Sequence, residues 1–386
     1  MKQAFKTFFL LSTILISTID NLKAQENKVA EIDSLIKSAN RLGLFNGNVL
    51  VADNNHIIYK TAIGFADASK KTGLTESYRF HIGSIAKEFN AVGIMILQEQ
   101  GKLSLDDRIS KYLPGLPEWA GKISIKNLMQ YTSGLPDVKW ATVKNDADNM
   151  ADLKKLDKLN FEPGTDYNYN NNNVFLQRRI IEKVSGLTFN QFVQQKILKP
   201  CGMDTAIIDP TDADVLIAKG YNDAYQQDSL TVPISGWTCL TLADFYKWAN
   251  CISTFKLITP ASTRQILYPV GPNKQAGLGG GSMDGDKLAT HIHDGSSRNY
   301  QALLTDNALK GRVVIVMTNN KQGNVYDINR AIQAILDGKP YCQLRKSILK
   351  YYQQALDTLN GGQIISFYNN LKPGMHMNTA LIMNRH

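Results

Sequence analysis

Ser84 and Lys87 stand one helical turn apart in the segment Gly83-Ser84-Ile85-Ala86-Lys87. That spacing puts a hydroxyl nucleophile and a candidate amine base on one helix face. An unaided serine hydroxyl is a poor nucleophile at neutral pH. Lysine can activate it only when its amine is partly neutral, which burial and nearby cations promote. Tyr169, in Tyr169-Asn170-Asn171, and His293, in His293-Asp294-Gly295, follow on later segments. They could complete a site for acyl transfer, with Tyr169 as phenolate or as a proton relay to the leaving group.

Each piece alone is weak. The S-x-x-K pattern occurs four times, at Ser34/Lys37, Ser84/Lys87, Ser253/Lys256 and Ser347/Lys350, and Y-x-N twice, at Tyr169/Asn171 and Tyr368/Asn370. Context separates the copies. Ser84 opens a run from Ile85 to Gln100 rich in Ala, Ile, Phe, Met and Leu, and Gly101 follows it as a helix stop. A helix apolar on most faces belongs in the middle of the protein. Its positive end favours a developing oxyanion at Ser84. Ser34 falls on an amphipathic N-terminal helix, Ser253 near a helix end and Ser347 in a charged tail.

The elements that must position these residues follow from periodicity and turn chemistry. Residues 26–42 read as an amphipathic helix. Gly47 to Val51 and His56 to Ala62 read as strands joined by Asp53-Asn54-Asn55. Helical and loop sequence then dominates to about residue 275. Strands return at Lys287 to His293, Tyr300 to Asp306 and Arg312 to Asn319, and a helix from Asp327 to Leu336 closes the unit. A sheet fed from both ends of the chain implies a discontinuous α/β domain of α+β type carrying an α-rich insertion. The sheet should come from about 43–67 and 286–337, with a helical lobe at about 70–275.

The ordered set of S-x-x-K, Y-x-N and H-x-G resembles the serine β-lactamase and penicillin-binding-protein superfamily. Further stretches carry the resemblance: Asn46-Gly47-Asn48-Val49-Leu50-Val51, Leu103-Ser104-Leu105-Asp106-Asp107, Thr132-Ser133-Gly134-Leu135-Pro136, Pro163-Gly164-Thr165 and Gly202-Met203. The best match is the branch containing class C β-lactamases, D-stereospecific peptidases, DD-carboxypeptidase-like enzymes and esterases. The likeness covers about residues 26–338. It implies an antiparallel sheet flanked by helices, an inserted helical lobe, and a site between them. It also implies that Ser84 is the nucleophile, with Lys87 and Tyr169 as its catalytic partners. Asn171, His293 and Gly295 would contact substrate, and the backbone N–H groups of Ser84 and Ser296 would form the oxyanion hole. A literal Lys71-Thr72-Gly73 precedes Ser84 and so breaks the superfamily order; it reads as a turn.

Two departures bear on substrate. His293 stands where β-lactamases and many penicillin-binding proteins have Lys. That removes a fixed cation for a substrate carboxylate and favours a peptide or ester over a β-lactam; Arg298 could restore the charge. Asn299 replaces a Gly expected in this loop.

Metal chemistry has one foothold, His291-Ile292-His293-Asp294. The further His of such a motif is missing and the other histidines are scattered, so neither metal nor cofactor is expected. The 386 residues carry 43% hydrophobic and 20% charged residues and a formal charge of +9. The basic residues are dispersed, which implies a basic surface and no nucleic-acid partner. Lys2 and Lys6, the apolar stretch from Phe8 to Ile19 and Leu22-Lys23-Ala24 read as a signal peptide over 1–24, cleaved near Ala24. Its apolar stretch is shorter than the roughly 20 residues of a spanning helix, so no stable membrane anchor is expected. Removing it would lower the charge to about +7 and place the 25–338 hydrolase domain in the periplasm or outside the cell. The 339–386 tail has no assigned role. Cys201, Cys239, Cys251 and Cys342 show no metal spacing and are expected as free thiols. Cys239 and Cys251 straddle a helix begun by Thr241, too far apart to bridge. The expected function is a secreted serine hydrolase acting through an acyl-enzyme on a D-amino-acid peptide, an ester or a β-lactam. The alternative is a penicillin-binding-like sensor with little turnover.

Overall fold

A computed structural model of the protein describes residues 25–272, 274–321 and 324–344. The expected signal peptide at 1–24 and most of the 339–386 tail lie outside the described residues.

Six antiparallel strands form the main sheet in the order β2-β1-β9-β8-β7-β6. They are β1 (Gly47–Asp53), β2 (His56–Ile63), β6 (Gly280–Asp284), β7 (Lys287–Ser297), β8 (Tyr300–Asn307) and β9 (Arg312–Thr318). The two ends of the chain meet where β1 pairs with β9, Gly47 opposite Thr318. A Cβ on Gly47 would overlap the Met317 carbonyl, so this central seam needs a residue without a side chain. Between β2 and β6 runs a mostly helical lobe, with a small sheet of β3 (Phe80–His81), β4 (Ile207–Ile208) and β5 (Thr238–Leu240).

Alternation along the strands loads both faces of the sheet. Val49, Val51, Val314 and Val316 face one way, against α1 (residues 25–41) and α5 (Val325–Leu336). Leu50, Ala52, Val313, Ile315 and Met317 face the other, against α2 (Lys87–Glu99) and α4 (Leu242–Ser253). Both sides being covered explains the near-continuous hydrophobic runs of β1 and β9. Helix α2 is buried from Lys87 through Leu97, as its all-round apolar sequence requires. Gly101, at φ +68°, stands two residues beyond it. Helix α3 (Asn171–Ser185) lies against α2. At Gly93 an added Cβ would sit 3.0 Å from Ile181 and 3.1 Å from Phe192, tighter than ordinary packing.

Three expectations change. The structure adds β6, whose Gly280-Gly281-Ser282 start has little strand propensity. It extends β7 to Ser297. And the cysteines are not all free: Cys201 and Cys251 form a disulfide with Cα atoms 5.8 Å apart, leaving buried Cys239 and exposed Cys342. Thr241 does cap α4, its hydroxyl accepting the Asp244 N–H. Cys251 therefore points to the segment before Gly202 and away from Cys239. Among the described residues no helix is long and apolar enough to cross a membrane.

Candidate active site

Ser84 sits in a 3₁₀ turn, Gly83–Ala86, that runs directly into α2. It is therefore one turn ahead of the regular helix that the sequence suggests. Gly83 makes this possible with φ +56°. The turn presses against the open end of β7. A Cβ on Gly83 would overlap the Ser296 N, and one on Gly295 would overlap the Ile82 carbonyl and lie 2.9 Å from the Ser84 N. Two glycines thus bring the Ser84 and Ser296 backbone nitrogens into one small region, the arrangement an oxyanion hole needs. His81, on β3, accepts the Gly83 N–H at Nδ1, 3.1 Å away. Burial, then Arg298 and Lys87, push its pKa down to about 3, so it stays a neutral acceptor.

Lys87 Nζ donates to Ser84 Oγ at 2.9 Å. Burial, reinforced by the Arg178 guanidinium and opposed by Asp137, pushes the Lys87 pKa down to about 7. The neutral amine is then well populated at neutral pH and can take the serine proton. Arg178, on α3, is itself buried. It donates to Asn90 Oδ1 at 3.1 Å and to the Ser235 carbonyl, while Asn90 donates to the Ala86 carbonyl at the base of the nucleophile turn. The Lys87 ammonium position lies 5.0 Å from the Tyr169 ring centroid and 5.5 Å from that of Trp237.

Tyr169 precedes α3, and the asparagines around it are structural. Asn170 caps the helix by accepting the Asn173 N–H, and it donates to the Leu135 carbonyl at 2.8 Å. Asn172 donates to the Pro136 carbonyl, and Ser133 donates to Asn173 Oδ1. The Thr132–Pro136 loop is thereby tied to the Tyr169 segment. Gly134, at φ +78°, permits the tie, since a Cβ there would overlap the Phe161 carbonyl. The Tyr169 hydroxyl is buried without a complete hydrogen bond. It faces Ser84 and Tyr131, and the Tyr131 ring centroid is 4.6 Å from its own. Burial raises its pKa well above the ordinary phenol value, against a lowering by Ser84. At neutral pH it is a phenol, suited to relay a proton to a leaving group and unsuited to act as a standing phenolate.

His293 lies on β7 on the face that meets α2, only 4% exposed. Its Nδ1 is 2.7 Å from Glu88 Oε1, and His291 Nε2 is 2.8 Å from the same oxygen. Trp248 Nε1 donates to Glu88 Oε2 at 2.5 Å. Asp294 and Ser296 lie on the opposite strand face, partly exposed. Lys321 Nζ donates to Ser296 Oγ at 2.6 Å. Arg298 turns away and donates to the Ser229 and Thr231 carbonyls.

The structure therefore brings Ser84, Lys87, Tyr169, Gly295 and Ser296 together. Asn171 stands at the start of α3, its backbone N–H donating to Asp137 Oδ1 at 2.9 Å. His293 is adjacent but engaged by Glu88. The other S-x-x-K pairs stand apart: Lys37 pairs with Asp33 on α1, and Ser253 Oγ donates to the Asn250 carbonyl at the end of α4; Ser347 and Lys350 lie outside the described residues. Lys71–Gly73 is exposed loop. Among the described residues no group of three or more His, Cys, Asp or Glu is arranged to hold a metal ion. Sequence reasoning missed Glu88, Arg178, Trp237, His81 and Lys321. Only a charged residue inside an otherwise apolar helix, Glu88, left a signal that could have been read.

The family model described as Beta-lactamase matches residues 30–339. Penicillin-binding protein 4* of Bacillus subtilis (strain 168) is 26% identical over 354 residues, 82% of this chain and 78% of that protein. Teichoic acid D-alanine hydrolase of Staphylococcus aureus (strain NCTC 8325 / PS 47) is 27% identical over 263 residues, 65% of this chain and 64% of that one. A solved structure of a class C beta-lactamase has a TM-score of 0.67 at 22% identity, covering 82% of this chain and 98% of its own. At that identity the likeness concerns the fold: an antiparallel sheet flanked by helices.

Proposed function

The chain belongs to the beta-lactamase family, and from that premise we propose that it is a serine hydrolase forming a covalent acyl-enzyme on Ser84. The observation that carries this is the 2.9 Å contact between Ser84 Oγ and a buried Lys87 amine whose pKa is near 7. Ser84 Oγ attacks the substrate carbonyl as its proton passes to Lys87 Nζ. The negative charge that develops on the carbonyl oxygen meets the Ser84 and Ser296 N–H groups. The tetrahedral adduct collapses, the bond to the leaving oxygen or nitrogen breaks, and a proton reaches the leaving group through the Tyr169 hydroxyl. Water then cleaves the acyl ester by the same steps in reverse, with Lys87 again as base. No step calls on a cofactor.

The substrate is an ester or peptide of a D-amino acid. One relative is named as a hydrolase of teichoic acid D-alanine. His293 also stands where a Lys would present a fixed cation to a carboxylate-bearing β-lactam, and its Nδ1 is taken up by Glu88. A second reading, penicillin acylation with or without turnover, is favoured by Lys321, which holds a fixed positive charge against Ser296. Export to the periplasm or beyond is supported by the 1–24 sequence and by the Cys201–Cys251 bridge, since structural disulfides belong to oxidising compartments.

The test is hydrolysis of a D-alanyl ester, a D-alanyl peptide amide and a penicillin by the wild type and by Ser84→Ala. Turnover of the ester or amide, abolished in Ser84→Ala, is expected. Stoichiometric penicillin adduct with turnover of none of the three would leave a sensor and overturn the hydrolase reading.

A further inference from the structure

Glu88 is a carboxylate in the middle of the core, on α2 directly after Lys87, and the acyl-transfer steps above do not use it. It is fully buried, and three ring nitrogens converge on it: His291 Nε2, His293 Nδ1 and the donating Trp248 Nε1. Both histidines share Oε1, so along β7 that oxygen lies between His291 and His293. The Nδ1 of His293 therefore points towards the His291 end of the strand. With Nδ1 engaged by Glu88, Nε2 is the ring nitrogen left for another partner, and the next residue on the same strand face is Gly295, which abuts the Ser84 N. Gly279 at φ +68° holds the ring in place, because a Cβ there would lie 2.8 Å from the His293 Cβ and closer still to the ring.

We propose that Glu88 is a positioning residue that fixes His293 with Nδ1–H on the carboxylate and the Nε2 lone pair turned to the acyl-transfer site, where it selects substrates carrying a hydrogen-bond donor beside the scissile carbonyl. An ammonium or amide N–H meets that acceptor; a carboxylate is repelled by its lone pair. This rests on the serine-hydrolase reading for its kinetic consequence but not for the tautomer.

Charge balance supports the assignment. One carboxylate can offset one imidazolium, and His291 is better placed to hold it. His291 is fully buried opposite Asp306 on β8. Burial opposes a proton there, but Glu88 and Asp306 outweigh it and raise its affinity. Burial would also raise Glu88, yet the two histidines bring its pKa down to about 2. The other ionisable groups nearby are Lys87 and Arg178 from α2 and α3, and Asp294 and Tyr169 at the rim. Among the described residues none of these forms an ion pair with Glu88, whose pairs are with His291 and His293.

Two measurements test it. Imidazole ¹⁵N spectra of the Ser84→Ala protein at pH 7.5 read the His293 tautomer without any turnover. Protonated Nδ1 with bare Nε2 is expected; protonated Nε2 overturns the proposal. Second, kcat/KM for D-alanine methyl ester is divided by that for methyl propionate, which lacks the donor. The wild type should favour the D-alanyl ester tenfold or more, Glu88→Gln should bring the ratio below threefold, and Glu88→Asp should recover part of it. A purely structural role for Glu88 would lower both rates and leave the ratio unmoved, which overturns selection. If Glu88→Gln does not fold, His293→Phe must lose the same preference. If the wild type cleaves neither ester, the hydrolase reading fails and with it the selection claim, while the ¹⁵N spectrum still decides the tautomer.

Discussion

At the scale of residues, Lys87 decides how the site responds to pH. Its folded pKa, about 7, lies below the free value of 10.5 because of burial and then Arg178. The active form is the free amine, so kcat/KM should rise with pH and fall about tenfold per unit below pH 7. No descending limb is expected before pH 9, because burial keeps the Tyr169 proton on above its ordinary range. Arg178→Met removes a buried cation and should move the acidic limb to higher pH, whereas Arg178→Lys should leave it near 7. Limbs at the same pH in both variants would contradict the role given to Arg178. The Ser84–Lys87 pair was legible in the sequence because its geometry is local, a single helical turn. Arg178 was not, and Glu88 showed only as a charge within an apolar helix, since their partners are far along the chain: Asn90 is 88 residues from Arg178, and His293 is 205 from Glu88.

At the scale of elements, the meeting of the nucleophile turn with β7 is the least forgiving place in the fold. Gly83→Ala must force an L side chain into φ +56° and into the Ser296 backbone. The conformation alone costs about 1–2 kcal/mol. The variant should lose more stability than that and label at least a hundredfold more slowly with a fluorophosphonate. Gly101→Ala is the control: its φ of +68° is similar, but nothing lies within 4 Å of the added methyl. It should cost about 1 kcal/mol and leave labelling unchanged. Equal effects in denaturant melts and labelling rates would deny the close approach. Periodicity located β1, β2, β8 and β9 and the buried α2, because their hydrophobic patterns match a covered sheet and a central helix. It missed β6 and the small β3-β5-β4 sheet, whose two- to five-residue strands contain glycine or depend on distant partners.

At the scale of the whole molecule, strands from both ends of the chain close one sheet, and the helical lobe between them carries Tyr169 to Ser84. The Cys201–Cys251 bridge fastens α4, the helix whose Trp248 reaches Glu88. It closes a separation of 50 residues, and replacing both cysteines with serine should cost about 2–4 kcal/mol in denaturant unfolding. Non-reducing peptide mapping that finds both thiols free would contradict the pairing. The bridge could not be read from the sequence, because spacing alone does not say which cysteines the fold brings within reach. The central claim is that Ser84 becomes covalently acylated with the help of Lys87. The direct test is intact mass followed by peptide mapping after exposure to a fluorophosphonate. One adduct on the peptide containing Ser84 is predicted, absent in Ser84→Ala and formed at least a hundredfold more slowly in Lys87→Ala. An adduct on another serine, or labelling of Ser84→Ala at the wild-type rate, would contradict the account.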